Sequence, residues 1–332
     1  MNNSKILALK YRPQEFKDLI GQEVIAQTIV NAIKLGKTPN AYLLTGIRGI
    51  GKTTTARLIA KALNCIKNSD SSKKCSPESF CDTCKEIVSS NHIDVLEMDA
   101  ASKTGIDDVR ELIENSKYSP TSASFKIFII DEVHMLSKQA FNALLKTLEE
   151  PPDNVIFILA TTESHKIPPT ILSRCQRYDF ARITAEVIFD RLAKICKTEQ
   201  FDVEPDALSL ISNLSNGALR DAINILEQSV VSDDPPISET NVRKLMDIGD
   251  EMISVELTKF LLEKNIAKAL ETVNTAANSG TDLRYIHMGL IKYLRAVLLV
   301  KSNINIKSSY SEEMYKVIES ISQNSELDSI LN

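Results

Sequence analysis

A chain of 332 residues is longer than one hydrophobic core usually organises, and 43% apolar with 25% charged residues is an ordinary globular make-up, so two or three domains are expected. A net charge of −5 excludes a molecule whose whole surface attracts nucleic acid or anionic lipid, and any DNA contact must be local. No apolar run approaches the roughly 20 residues that cross a bilayer, and Met1-Asn2-Asn3-Ser4-Lys5 has no signal-peptide core behind it. The expected compartment is the cytoplasm, with no membrane partner, and the six cysteines are expected as thiols or metal ligands rather than disulfides.

Residues 6–40 open with Arg12-Pro13 and continue with Ile25, Ile29 and Ile33 at helical spacing, closed by Gly36 and Pro39, which predicts a lead-in helix. Ala41 to Thr45 is a short apolar run feeding a glycine-rich turn, the pattern of a buried strand. Three more runs read as parallel strands, Val95 to Met98, Ile127 to Ile130 and Val155 to Ala160. Between the last two, Phe141, Leu144, Leu145 and Leu148 make one helical stripe that Pro151-Pro152 terminates. Strands alternating with helices imply a doubly wound parallel sheet, an α/β fold. Beyond about Arg182 the pattern turns helical, with helices expected at 185–200, 206–214 and 218–231, and Asp233-Asp234-Pro235-Pro236 breaks the chain again. The expected domains are 1–181, nucleotide-binding; 182–240, a small helical lid; and 241–332, all-helical, with only Gly249, Gly280 and Gly289 to interrupt it. Lys67 to Ser79 is polar and serine-rich, a surface excursion.

Gly46-Ile47-Arg48-Gly49-Ile50-Gly51-Lys52-Thr53, followed by Thr54, matches GxxxxGK[ST] between a predicted strand and a predicted helix. Glycines let successive amides turn inward around phosphate oxygens, Lys52 reaches the β- and γ-phosphates, and Thr53 ligates Mg²⁺. ATP is the expected substrate. Asp131 and Glu132 end the apolar run Ile127-Phe128-Ile129-Ile130 at the carboxyl edge of the sheet. Asp131 is expected on the metal, and Glu132 on the attacking water. His134 reads as a packed support of that loop. Thr161 or Thr162, closing the next strand, offers a hydroxyl to the reacting water or the γ-phosphate, although Thr is also simply a good strand residue.

These residues, with Lys10-Tyr11-Arg12-Pro13, Gly21-Gln22, the run Asn142 to Pro152, Leu172-Ser173-Arg174-Cys175 and Gly217-Ala218-Leu219-Arg220-Asp221, resemble the gamma/tau subunits of bacterial DNA polymerase III, the AAA+ ATPases of the clamp loader. The resemblance spans essentially the whole chain. It implies an AAA+ sheet with an inserted zinc module at about 64–90, a helical lid and a helical collar in which subunits assemble. It also implies that Arg174 enters the ATP site of a neighbouring subunit, that Arg220 contacts nucleotide in cis from the lid, and that Tyr11, Arg12 and Pro13 wrap the adenine. Implied partners are the delta and delta prime subunits, further copies of the chain, the sliding clamp and primed DNA. Against the family's usual length, the last collar helices and the tail that contacts polymerase and helicase are expected to be missing.

Cys65, Cys75, Cys81 and Cys84 fall close together, and Cys81-Asp82-Thr83-Cys84 has the spacing that puts two thiolates on adjacent corners of a tetrahedron. The resemblance makes this a structural zinc site; free thiols or redox chemistry is the alternative. Five residues separate Cys75 from Cys81, where the family usually has a second tight CxxC step. Cys175 and Cys196 read as buried thiols. Lys103 and Arg110 stand seven apart, about two helical turns, and match family positions that touch template-strand phosphates. A non-hydrolysing scaffold subunit and a translocating AAA+ helicase of the branch-migration kind are the competing functions. The intact Lys52, Thr53, Asp131 and Glu132 oppose the first, and the cysteine cluster with Ser173-Arg174-Cys175 opposes the second.

Overall fold

The computed structural model describes residues 6–69, 75–246, 251–278, 283–307, 310 and 312–324. The amino-terminal pentapeptide, part of the serine-rich stretch, and Gly249 and Gly280 of the expected collar lie outside the described residues. The chain divides into two compact units, Met1–Val231 and Ser232–Asn332.

In the first unit the elements run α1 (Leu7–Lys10), α2 (Glu23–Lys34), β1 (Ala41–Thr45), α3 (Lys52–Asn64), α4 (Asp82–Val88), β2 (Val95–Asp99), α5 (Ile106–Ser116), β3 (Lys126–Asp131), α6 (Lys138–Glu149), β4 (Val155–Thr161), α7 (Pro169–Leu172), β5 (Gln176–Asp179), α8 (Ala185–Glu199), α9 (Pro205–Leu214) and α10 (Leu219–Ser232). The sheet order is β2-β3-β4-β1-β5, and every neighbouring pair is parallel. The inner strands are apolar throughout because both faces are covered. Phe128 and Ile130 of β3 pack with Leu43, Phe157 and Leu159 into a core closed by Val109 and Leu112 of α5 and Phe141, Leu144 and Leu148 of α6. The Phe128 and Phe157 rings stack with centroids 5.4 Å apart, and each buried aromatic contributes about 1.5–3 kcal/mol.

The predicted strands and helices are found with boundaries displaced by one or two residues, and one strand lacks a sequence signal. The fifth strand, Gln176-Arg177-Tyr178-Asp179, buries only Tyr178 and pairs along β1 at the sheet edge. An edge strand with one covered face does not need an apolar run. The three helices after it bury Ile188, Leu192 and Ile195 (α8), Leu208 and Ile211 (α9), and Ile223 and Leu226 (α10).

The second unit is helical where it is described, with α11 (Glu239–Leu245), α12 (Glu251–Leu262), α13 (Ile266–Asn278), α14 (Leu283–Lys301) and α15 (Glu312–Asn324). Val255, Leu262, Tyr293, Val297 and Ile318 form one core cluster, and Leu257, Ala269, Ala276 and Ile286 form another.

Candidate functional site: a phosphate loop, two carboxylates and a four-cysteine cluster

The loop between β1 and α3 is drawn tightly against its neighbours. Gly46 has φ +149° and a Cβ there would lie 2.8 Å from Cβ of Phe180; Gly49 has φ +75° and a Cβ there would lie 3.1 Å from Cβ of Arg220. Only glycine combines those conformations with that proximity. The backbone N–H of Arg220 donates to the Gly49 carbonyl at 3.3 Å, so the first turn of α10 rests on the phosphate loop. Ile50 is buried behind the loop, whereas Arg48 is exposed. Lys52 is 5% exposed and donates its ammonium to the carbonyls of Gly46 at 2.9 Å and Ile47 at 3.0 Å. Burial lowers the lysine pKa, and the nearby charges of Glu132 and Asp131 oppose that shift.

The two carboxylates separate as the register of the sheet dictates. Thr53, one residue into α3, donates its hydroxyl to Oδ2 of Asp131 at 2.5 Å, and the backbone N–H of Glu132 donates to Oδ1 at 2.9 Å. Glu132 holds φ +47°, a left-handed conformation uncommon outside glycine, which turns its side chain toward the end of β4. There Thr162 donates to Oε2 of Glu132 from its hydroxyl at 2.9 Å and from its backbone N–H at 3.3 Å. Thr161, by contrast, is fully buried: its hydroxyl pairs with Nδ1 of His134 at 3.0 Å and accepts from the N–H of Glu163 at 3.0 Å. The two threonines that sequence leaves undivided thus part, one toward the carboxylate and one into the support beneath it. His134 lies 3.4 Å from Glu132 and 3.5 Å from Glu163, a packed residue of the loop.

A cavity of about 490 Å³ opens at this end of the sheet. Tyr11, Arg12, Pro13, Arg48, Gly49, Ile50, Gly51, Lys52, Thr53, Thr54, Asp131, Glu132 and Arg220 line it; Gly46, Ile47 and Thr162 are not part of that lining. Sequence reasoning missed Ile20, Ile183 and Ile223, which add an apolar wall, and Asp99, whose register partner is Asp131. Their signal was weak because single apolar residues from three distant segments make no periodic pattern. Arg12 donates from Nε to the Thr54 hydroxyl at 3.1 Å, and burial lowers its guanidinium pKa. The Tyr11 hydroxyl bonds Glu199 at the end of α8, and burial, with that carboxylate, pushes its pKa up to about 12.

Arg174 lies outside the cavity lining, at the end of α7. Its guanidinium donates to the Thr170 carbonyl at 2.7 Å and forms an ion pair with Glu149. Lys103 and Arg110 are both exposed but do not share a helix. Lys103 precedes the Gly105 cap of α5, so helical spacing does not relate the two, and Arg110 pairs with Asp107 at 3.1 Å.

The ligand atoms of Cys65, Cys75, Cys81 and Cys84 all lie within 4.8 Å of one another. A tetrahedral ion with sulfur at about 2.3 Å needs sulfur separations of roughly 4 Å, so the set fits one such ion. Two rigid helix ends hold it: Cys65 caps the carboxyl end of α3, and Cys81 caps the amino end of α4, which also carries Cys84. The longer step to Cys75 still reaches the cluster, and the N–H of Cys81 donates to the Cys75 sulfur at 3.3 Å. Burial drives the Cys84 and Cys65 thiols up, whereas at Cys81 hydrogen bonds with Cys84, Ile66 and Cys75 together outweigh burial and lower the pKa. Burial raises Cys196 to about 11 and half-buried Cys175 to about 12, as suits unreactive thiols.

Three family models match in succession: "DNA polymerase III, delta subunit" over residues 21–184, "DNA polymerase III clamp loader subunit, ATPase lid domain" over 187–233, and "DNA polymerase III subunits gamma and tau domain III" over 237–330. The gamma subunit of DNA polymerase III from Buchnera aphidicola subsp. Schizaphis graminum is 42% identical over 300 residues, 90% of this chain and 82% of that protein. The tau subunit of Bacillus subtilis is 43% identical over 292 residues, 88% of this chain and 51% of that protein; the tau subunit of Escherichia coli is 39% identical over 90% of this chain and 46% of its own. The chain therefore spans about half the length of these tau relatives. Among solved structures, the Thermotoga maritima RuvB Holliday junction branch migration motor superposes with a TM-score of 0.53 at 20% identity, covering 82% of this chain and 86% of that one, a likeness of fold alone. Among the described residues no helix is long and apolar enough to cross a membrane. With a P-loop parallel sheet, a helical lid and a helical carboxyl-terminal unit beside relatives of this similarity and coverage, the chain belongs to the gamma/tau family of DNA polymerase III clamp-loader subunits.

Proposed function

We propose that this chain is the ATP-hydrolysing motor subunit of a bacterial DNA polymerase III clamp loader, which uses ATP binding and hydrolysis to place a sliding clamp on primed DNA during replication. The observation that carries the reading is the hydrogen-bonded run Thr53–Asp131–Glu132–Thr162 beside Lys52 at one end of the cavity. A non-hydrolysing scaffold has no use for a carboxylate aimed by a strained backbone and a second hydroxyl.

In this reading the amides of Arg48 to Gly51, which line the cavity, hold the β- and γ-phosphates, and Lys52 exchanges its carbonyl contacts for phosphate oxygen. A magnesium ion held by Thr53 and Asp131 supplies neutralisation of phosphate charge. Glu132, aimed by Thr162, orients and polarises the attacking water. Tyr11, Arg12 and Pro13, with Ile20, Ile183 and Ile223, receive the adenine, and Arg220 reports the nucleotide to the helices after 182. Arg174, outside its own cavity, serves the site of an adjoining subunit. A finger of this kind gives about 10³–10⁵ in rate, so hydrolysis depends on assembly.

Residues 1–181 bind nucleotide, 182–240 form the lid, and 241–332 form the collar that meets delta, delta prime and further copies of the chain. Zinc held by Cys65, Cys75, Cys81 and Cys84 braces the 64–90 module; Lys103 and Arg110 touch DNA phosphates without reading sequence; and the protein works in the cytoplasm, at the nucleoid. The test is single-turnover ATPase after mixing the chain with delta, delta prime, clamp and primed DNA. Stimulation that needs every component is expected; a rate indifferent to clamp and DNA overturns the loader reading.

A further inference from the structure

Four thiolates around one divalent ion leave two net negative charges, which a protein interior must balance. A buried cation lies on the helix that ends at Cys65 and against the ring that precedes Cys81. Lys61, one helical turn ahead of Cys65 on α3, is 9% exposed, and its Nζ lies 3.8 Å from the ring centroid of Phe80, the residue before Cys81. Burial lowers its pKa, and Cys84, Cys75, Glu15 and Cys65, in that order, oppose that shift.

The same ammonium reaches toward the nucleotide cavity. It donates to the Gln14 carbonyl at 2.7 Å; the Gln14 amide donates to the Arg12 carbonyl at 3.1 Å; and Arg12 donates from Nε to the hydroxyl of Thr54 at 3.1 Å. Arg12 and Thr54 line the cavity, and Thr54 lies two turns from Lys61 along the same helix. Residues 12–14 are thus a strap laid along α3, tied at the cavity by Thr54 and at the cysteine cluster by Lys61.

We propose that Lys61 is the countercharge of the four-thiolate centre and the tie through which that centre holds the Arg12–Gln14 strap, so that metal occupancy strengthens nucleotide binding. The inference rests on the zinc and ATP readings above. It gives the cysteine module a task in the ATP site that no ligand set alone supplies. The alternative, a lysine buried only to bond Gln14, leaves nucleotide affinity blind to the metal.

The test uses the full chain, elemental analysis, zinc release into a chromophoric chelator, and binding of a fluorescent ATP analogue before and after zinc removal. Lys61→Met is expected to release zinc about tenfold faster, with Lys61→Arg near the unmodified rate, because partners of metal ligands typically affect affinity by about 10–100-fold. Zinc removal is expected to weaken the analogue about fivefold in the unmodified chain and not at all in Lys61→Met, the lower end of usual coupling between sites. Gln14→Leu, which spares the thiols and the bond from Lys61 to the Gln14 carbonyl but removes the amide that joins Gln14 to Arg12, is expected to keep zinc and weaken the coupling, and it decides the matter if Lys61→Met does not fold. An unmodified chain that holds zinc and nucleotide without coupling, or equal coupling in all the variants, overturns this proposal alone. A chain that holds neither overturns the reading beneath it as well.

Discussion

The hydroxyl of Thr162 donates to Oε2 of Glu132 at 2.9 Å, so the end of β4 aims the carboxylate that follows β3. Thr162 does not line the cavity, and its effect passes through Glu132. Thr162→Val is expected to leave nucleotide affinity within about twofold and to slow single-turnover hydrolysis about 10–100-fold, no more than the lower end of the roughly 10²–10⁴-fold that a positioned general base contributes, because Glu132 itself remains. Thr162→Ser restores the donor and most of the rate. A valine variant that hydrolyses at the unmodified rate removes Thr162 from the catalytic arrangement.

Lys52 and Arg174 separate binding from chemistry. Lys52→Ala is expected to abolish uptake of the fluorescent ATP analogue, while Arg174→Ala binds it normally and loses about 10³-fold in hydrolysis by the assembled complex. The Arg174–Glu149 pair is partly exposed, with 30% and 49% of the two side chains accessible, so it contributes about 0–1 kcal/mol. Glu149→Gln should therefore shift the melting temperature of the isolated chain by no more than a degree or two, measured by calorimetry.

Asp94 supplies a pH dependence that can be followed by chemical denaturation. Its carboxylate is 1% exposed and accepts from the N–H groups of Thr121 at 2.8 Å, Ser122 at 2.7 Å and Ala123 at 3.0 Å. Burial alone would raise its pKa, but those donors win and lower it. A lowered folded pKa means stability that is complete above the unfolded value, about pH 4, and is lost as pH falls through the folded value. Asp94→Asn should cost about 1–3 kcal/mol at pH 7. That gap should shrink on acidification below about pH 4, and a gap independent of pH would contradict the assignment.

The cysteine cluster predicts one zinc per chain by elemental analysis. Cys75→Ser is expected to lower retained zinc at least about tenfold after dialysis against chelator, because a three-thiolate site leaves one corner to water. Full retention in that variant would remove Cys75 from the ligand set.

Much of this protein is local enough to be legible in one dimension. The phosphate loop needs glycines at fixed offsets from one lysine, the inner strands need unbroken apolar runs because both faces are covered, and α6 shows its stripe from Phe141 to Leu148. What tertiary structure decided is what depends on segments far apart meeting at angstrom distances. It parted Thr162 from Thr161, brought Cys75 across its longer loop to the other three sulfurs, and built the apolar wall from Ile20, Ile183 and Ile223. It found a strand in Gln176 to Asp179, paired Arg174 with Glu149, and laid residues 12–14 along α3. Periodicity records which face of an element is buried; it carries no record of which hydroxyl, thiol or ammonium from another segment lies opposite, and at this site those partners set the chemistry.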